Sequence, residues 1–151
     1  MIMRILLITF LISTLFLSCD KSEDCDDIKE DCSTIRCIAF WAYFDFKLVD
    51  KLTGIDLISG SNPRYVLNDI KLYFDAAKTA AIPYTFDAAK KSIHLMTARE
   101  EMYLELKGVT VYKLQVEFRS TSCCSVIVKT LTLDGQAICT CCKEVIEIPI
   151  I

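Results

Sequence analysis

Strict alternation of apolar and polar side chains constrains the fold of this chain more than any other feature of its sequence. The clearest examples are residues 102–106 and 112–118, where every second residue is apolar and most of the residues between are polar or charged. Successive side chains of a β-strand point to opposite faces, so this pattern predicts strands with one buried and one solvated face. Long helical periodicity is absent after residue 18, which indicates an all-β fold.

The remaining strand candidates set the predicted architecture. They lie at residues 36–50, 70–74, 82–86, 92–96, 126–133 and 137–148. Strands joined by short turns predict an antiparallel β-sandwich of about seven to nine strands, immunoglobulin-like in shape. A small β-barrel is the alternative. Because no linker within residues 35–151 is long enough to separate two cores, these residues are predicted to form a single β-sandwich domain.

A hairpin is predicted at the Asp-Gly pair of residues 134–135, because a two-residue Asp-Gly loop is the strongest short-range hairpin signal. A regular ladder built outward from this loop places Cys139 opposite Thr130. The same register places Cys124 opposite Val145. We therefore expect Cys123 and Cys124 to lie too far along the strand from the later cysteines to form disulfides with them, unless a bulge intervenes.

An export signal is predicted at residues 1–18, where Arg4 precedes an apolar run over residues 5–17. The run is shorter than the roughly 20 residues that a membrane-spanning helix needs, and no second long apolar stretch follows it. A cleaved signal peptide therefore fits the sequence better than a transmembrane anchor.

The residues around the end of this signal carry a family resemblance. Phe16-Leu17-Ser18-Cys19 resembles a bacterial lipobox, and the acidic residues 20–27 that follow are similar to the surface-export stretch of Bacteroidota lipoproteins. The resemblance implies that Cys19 becomes the N-terminus and carries more than one acyl chain, palmitate among them, which is enough for stable anchoring. It also implies a surface-exposed lipoprotein of the outer membrane. Residues 19–34 are then a solvated acidic tether, since their carboxylates lack the spacing and the glycine of a calcium loop.

Cysteine content gives the next constraint, because the chain has nine cysteines and a lipidated Cys19 leaves eight. The eight disulfide candidates are Cys25, Cys32, Cys37, Cys123, Cys124, Cys139, Cys141 and Cys142. Three lie early and five lie late, so if all of them pair, at least one bridge joins the two groups. The alternative is a soft-metal site built from the late cysteines, which the missing Cys-x2-Cys pairs disfavour, so no metal ligands are assigned.

Two aromatic residues are the candidate binding surface. Trp41 and Tyr43 fall on the otherwise polar face of the strand predicted at residues 36–50, where they can form a platform for a sugar ring or a peptide. The alternative is that the early cysteine segment or a second sheet covers them.

Charge and motifs exclude several functions. The chain has a formal net charge of −3, and it contains neither a basic cluster nor a glycine-rich phosphate loop, so a nucleic-acid partner is not expected. The single histidine, His94, is interpreted as a surface strand residue, because no serine or cysteine motif accompanies it. No catalytic residues and no cofactor are predicted.

These observations favour a non-enzymatic, lipid-anchored protein of the cell envelope that binds another envelope protein, a host protein or a glycan. An inhibitor of a secreted hydrolase is a narrower alternative, and a metal-binding protein that uses its cysteine cluster is the second.

Overall fold

The computed structural model describes residues 42–142 and 144–151, which form nine strands and one short 3-10 turn, Leu67–Asp69. The strands are β1 Ala42–Asp50, β2 Ile70–Tyr73, β3 Tyr84–Asp87, β4 Ser92–Thr97, β5 Glu101–Leu106, β6 Thr110–Ser122, β7 Ser125–Leu133, β8 Gln136–Thr140 and β9 Val145–Ile150. Within these described ranges there is no helix of the length and hydrophobicity needed to cross a bilayer.

The strands form two sheets that pack as a β-sandwich. One sheet has the order β3-β4-β1-β9, and the other has the order β2-β5-β6-β7-β8. All neighbouring strands are antiparallel except β1 and β9, which run parallel. The predicted all-β sandwich of immunoglobulin-like shape is confirmed, and for the described strands the barrel alternative is wrong because they form two separate sheets.

The core lies between the sheets and follows the alternation seen in the sequence. On β1 the buried residues include Phe46 and Leu48, which are fully inaccessible, and on β5 they include Met102 and Leu104. These side chains belong to one hydrophobic cluster to which both sheets contribute. Each buried aliphatic or aromatic side chain is worth about 1.5–3 kcal/mol relative to exposure, so this shared cluster is what holds the sheets face to face.

Strand β3 lies at a sheet edge, as Pro83 at its start predicts, because proline has no N–H to donate to a neighbouring strand. Tyr84 ties this edge to the opposite sheet. Its hydroxyl lies 2.8 Å from the carbonyl oxygens of both Leu67 and Ile70, and burial raises the pKa of the hydroxyl. Hydrogen bonds from Tyr84 therefore join edge strand β3 of one sheet to the start of edge strand β2 of the other.

The Asp134-Gly135 hairpin is confirmed. Both residues have positive φ, 49° for Asp134 and 79° for Gly135, as a two-residue hairpin loop of the primed type requires. The predicted register holds for the first two pairs, but a bulge follows, so that Cys139 lies opposite Leu131 rather than Thr130. One extra residue in one strand shifts every later pair, and an alternating sequence does not reveal where such an insertion falls.

The strand predicted at residues 137–148 is wrong in its extent. β8 ends at Thr140, and β9 begins at Val145 in the other sheet, beside β1. The chain leaves the five-stranded sheet at Cys141, which has a φ of 53°, and Glu144, just before β9, has a φ of 57°. These left-handed conformations break the extended backbone, so one apolar run supplies strands to both sheets.

The predicted position of Cys124 is also corrected. Cys123 and Cys124 are the two-residue loop between β6 and β7, closed by the pair Ser122 and Ser125. Val145, which the regular ladder placed opposite Cys124, pairs instead with Asp45. The two cysteines therefore project from the tip of a hairpin.

Candidate binding surface on the four-stranded sheet

Tyr43 is exposed on the outer face of the four-stranded sheet. It is 54% accessible to solvent, whereas its neighbours in the chain, Ala42 and Phe44, are buried in the core. The accessibility of Tyr43 is what a binding platform requires, and the second sheet does not cover this side chain. The early cysteine segment, the other cover considered, lies outside the described residues. Trp41, the second predicted member of the platform, lies outside the described residues.

Tyr43 stacks on His94 of the adjacent strand. The centroids of the two rings are 5.7 Å apart and their planes differ by 17°. In the ladder between β1 and β4, Tyr43 lies opposite Met96, which is 44% exposed, and Asp45 lies opposite His94. The register thus places a phenol ring, an imidazole and a thioether side by side.

The carboxylate of Asp45 contacts both the imidazole of His94 and the ammonium group of Lys90. Its Oδ1 lies 2.7 Å from Nδ1 of His94, and its Oδ2 accepts a hydrogen bond from Nζ of Lys90 at 2.6 Å. Partial burial raises the pKa of the Asp45 carboxyl, but the hydrogen bonds from Lys90 and His94 outweigh it, so its pKa falls below the ordinary value. The hydrogen bond to Asp45 raises the pKa of Lys90. Asp45 is therefore an ionised acceptor.

Tyr43, His94 and Met96 border a shallow apolar depression of about 290 Å³. We call it the Tyr43 patch, and it is formed by Tyr43, Pro83, Tyr84, Thr85, His94 and Met96. Ligand pockets commonly measure about 300–1,000 Å³, so this volume suits one ring or one side chain rather than an extended small molecule.

A larger cavity of about 470 Å³ lies on the other side of Tyr43, towards β7 and β9. Its lining includes Phe44, Ile127, Val128 and Cys142. β9 pairs with β1 only from Asp45 onward, so the first residues of β1 have a hydrogen-bonding edge that β9 does not cover. The cavity opens beside this edge.

The late cysteines are oxidised. Cys139 and Cys142 form a disulfide with their Cα atoms 5.5 Å apart, and Cys123, Cys124 and Cys141 are also disulfide-bonded. Three bonded cysteines cannot all pair among themselves, so at least one has its partner outside the described residues. The early candidates Cys25, Cys32 and Cys37, together with Cys19, lie outside that range.

His94 is a half-exposed strand residue whose partners sequence reasoning missed. Its side chain is 40% exposed, and within the described part of the chain Asp45 is its hydrogen-bond partner. An Asp–His pair positions an imidazole, but nucleophilic catalysis also needs a hydroxyl or thiol bonded to the other ring nitrogen, and the described residues provide none. Alternation marks Asp45 and His94 as outward-facing, but it does not reveal that their strands are neighbours.

The described ranges contain no group of three or more histidine, cysteine, aspartate or glutamate side chains that would hold a metal ion. Comparison of the chain with protein-family models, with characterised proteins and with solved structures finds no match.

Proposed function

We propose that this chain is a lipid-anchored protein of the cell envelope, exposed at the surface of the outer membrane, whose β-sandwich is a non-enzymatic binding module. The observation that carries the proposal is the Tyr43 patch. An exposed aromatic ring, stacked and held in place, offers a flat apolar surface, while the ion pair of Asp45 and Lys90 beside it supplies polar contacts.

The ligand that fits this surface is a single ring presented by a larger molecule. Tyr43 provides a face on which the apolar side of a sugar, or a proline or aromatic side chain, can stack. The ammonium group of Lys90, which is 55% exposed, donates hydrogen bonds to oxygen atoms of a ligand beside the patch. A glycan or an extended peptide of an envelope or host protein meets both requirements.

Two other functions are less well supported. A metal site made of cysteine thiolates conflicts with the disulfide bonds of the five late cysteines, since only the thiolate ligates. Inhibition of a secreted hydrolase needs a projecting loop that occupies an active site, and the Cys123-Cys124 hairpin tip is the described loop that a protease inhibition panel should test.

Ring binding is tested with Tyr43→Ala on arrays of glycans and peptides. Loss of one aromatic stacking contact is worth about 1.4 kcal/mol, so affinity for any ligand found should fall about tenfold. The matched control is Val109→Ala, which removes a side chain that is 84% exposed in the loop between β5 and β6. Equal loss of binding in both variants, or no loss in Tyr43→Ala, would contradict the assignment.

Anchoring is tested independently of the ligand. Because acylation of Cys19 is the proposed anchor, Cys19→Ala should abolish metabolic labelling with palmitate and remove the mature protein from the membrane fraction. Alanine replacement of residues 20–27 should leave labelling intact and reduce protease shaving on whole cells. Labelling that persists in Cys19→Ala would refute the lipoprotein assignment.

A further inference from the structure

We propose that His94 and Met96 form a binding site for Cu(I) on the outer face of β4. The two residues are separated by one position on the same strand, so their Cα atoms lie about 6.6 Å apart at a rise of about 3.3 Å per residue. Both border the Tyr43 patch, and both side chains reach solvent. The site is a second property of this surface and does not depend on ring binding.

His94 is oriented as a metal ligand. Carboxylate oxygens accept hydrogen bonds, so the 2.7 Å contact with Oδ1 of Asp45 is one that Nδ1 of the imidazole donates. In the neutral ring this leaves the lone pair on Nε2. A carboxylate that holds one nitrogen of an imidazole while the other binds metal is the usual outer-sphere arrangement of histidine ligands.

Met96 supplies the ligand that selects the metal. A thioether is a soft donor, and its combination with imidazole favours Cu(I) over harder ions such as Mg²⁺ or Ca²⁺. In linear coordination the imidazole nitrogen and the thioether sulfur lie on opposite sides of the ion. The Met96 side chain is exposed and has three rotatable bonds, so its sulfur can turn toward the imidazole of His94.

The surroundings suit a cation of low charge. Cu(I) accepts linear coordination by one nitrogen and one sulfur, so it does not need the larger cluster of ligands that the described residues lack. The Tyr43 ring, stacked against His94, offers its face to a neighbouring cation. The positive charge of Lys90 is offset by Asp45, and the five disulfide-bonded late cysteines do not compete for the ion.

Titration of the disulfide-bonded full chain with Ag(I) tests this site, because Ag(I) shares the ligand preference of Cu(I) and needs no reductant. We expect native mass spectrometry to show one ion bound per chain, and the ε-methyl NMR signal of Met96 to shift on binding. Met96→Leu and His94→Gln should each weaken binding at least about tenfold, as loss of a group that supports a metal typically does. Met102→Leu, a change at a fully buried methionine, should bind as wild type does.

Tyr43→Ala separates this site from ring binding. The variant should lose affinity for the ring ligand but keep its Ag(I) affinity within about threefold, because a single exposed cation–π contact is worth about 0.5–1 kcal/mol. The proposal is overturned if Met96→Leu binds Ag(I) as tightly as wild type, if the wild type binds no ion, or if Zn²⁺ binds at the same residues with equal affinity.

Discussion

Asp45 is the residue on which the outer surface of the four-stranded sheet depends most directly. Its side chain is 12% exposed, and its two oxygens serve different partners, His94 and Lys90. Those hydrogen bonds hold the pKa of the carboxyl below its ordinary value of 3.8 despite the opposing effect of burial. A lowered carboxyl pKa in the folded state means that folding is stabilised at pH values where the group is ionised.

We expect Asp45→Asn to lower the free energy of unfolding by about 1 kcal/mol near pH 7, because the amide cannot pair with a cation. The difference from wild type should persist above pH 3.8 and shrink as the pH falls below that value, where the wild-type carboxyl itself becomes protonated. Urea unfolding at a series of pH values measures this difference.

Glu147→Gln is the matched control for the loss of one carboxylate. Glu147 forms an ion pair with Lys47 at 2.8 Å, but its side chain is 58% exposed. Loss of this carboxylate should therefore lower the free energy of unfolding by less than about 0.5 kcal/mol. A cost for Asp45→Asn that is no larger than this, or that does not change with pH, would show that Asp45 is not held as described.

At the scale of elements, the end of β8 decides how the chain divides between the two sheets. The disulfide between Cys139 and Cys142 closes the segment where the backbone turns away from β7. Within it, the amide of Cys141 donates a hydrogen bond to the carbonyl of Lys129 at 2.6 Å. This short covalent loop and the hydrogen bond together fix the point at which the chain crosses to β9.

Replacement of both residues, Cys139→Ala and Cys142→Ala, should lower the free energy of unfolding by about 2 kcal/mol, since a bridge over so few residues restricts the unfolded chain only modestly. Hydrogen exchange at the Cys141 amide should accelerate in the same variant. Thr140→Ala, at an exposed position of β8, should change stability by less than about 0.5 kcal/mol. Unchanged exchange at Cys141 would mean that the turn forms without the bridge.

The sequence predicts which face of a strand is buried, because that depends on the pattern within one strand. It does not predict contacts between residues of different elements. The buried faces of β5 and β6 follow from alternation alone, because the side-chain period of a strand is fixed. Glu105 was expected on a solvated face, yet it is only 4% exposed because Lys78, from the loop after β2, covers it and pairs with it. The pairing of Asp45 with His94 depends on strand order in the same way. No local pattern encodes such contacts.

At the scale of the whole molecule, disulfide bonds link the sandwich to residues outside the described ranges. Cys123, Cys124 and Cys141 are disulfide-bonded, and at least one of their partners lies outside the described residues. The sequence leaves Cys25, Cys32 and Cys37 as candidates if Cys19 carries the proposed lipid. A bridge from the early segment to the late hairpins would close a loop of about 100 residues, worth about 4.7 kcal/mol in the chain-entropy model.

Peptide mapping of the chain without reduction should therefore give at least one linked pair that joins a peptide from before residue 39 to a peptide from after Ser122. Reduction should lower the thermal midpoint by several degrees, since about 1 kcal/mol shifts it by roughly 4–8 °C in small domains. The pair from Cys139 and Cys142 serves as an internal control for complete oxidation. If all three early cysteines are found as free thiols, the long-range bridge does not exist.

The parallel pairing of β1 with β9 has a consequence for the order in which the chain acquires its structure. Seven strands separate these partners along the sequence, whereas β3 with β4, and each successive pair from β5 to β8, are neighbours in sequence. Hairpins form early because little entropy is lost in closing them, and distant strands meet late. A chain that emerges amino end first during synthesis therefore exposes one side of β1 until β9 has followed. During that interval the unpaired edge is available to chaperones or to other copies of the chain, and the yield of folded protein should depend on how quickly β9 arrives.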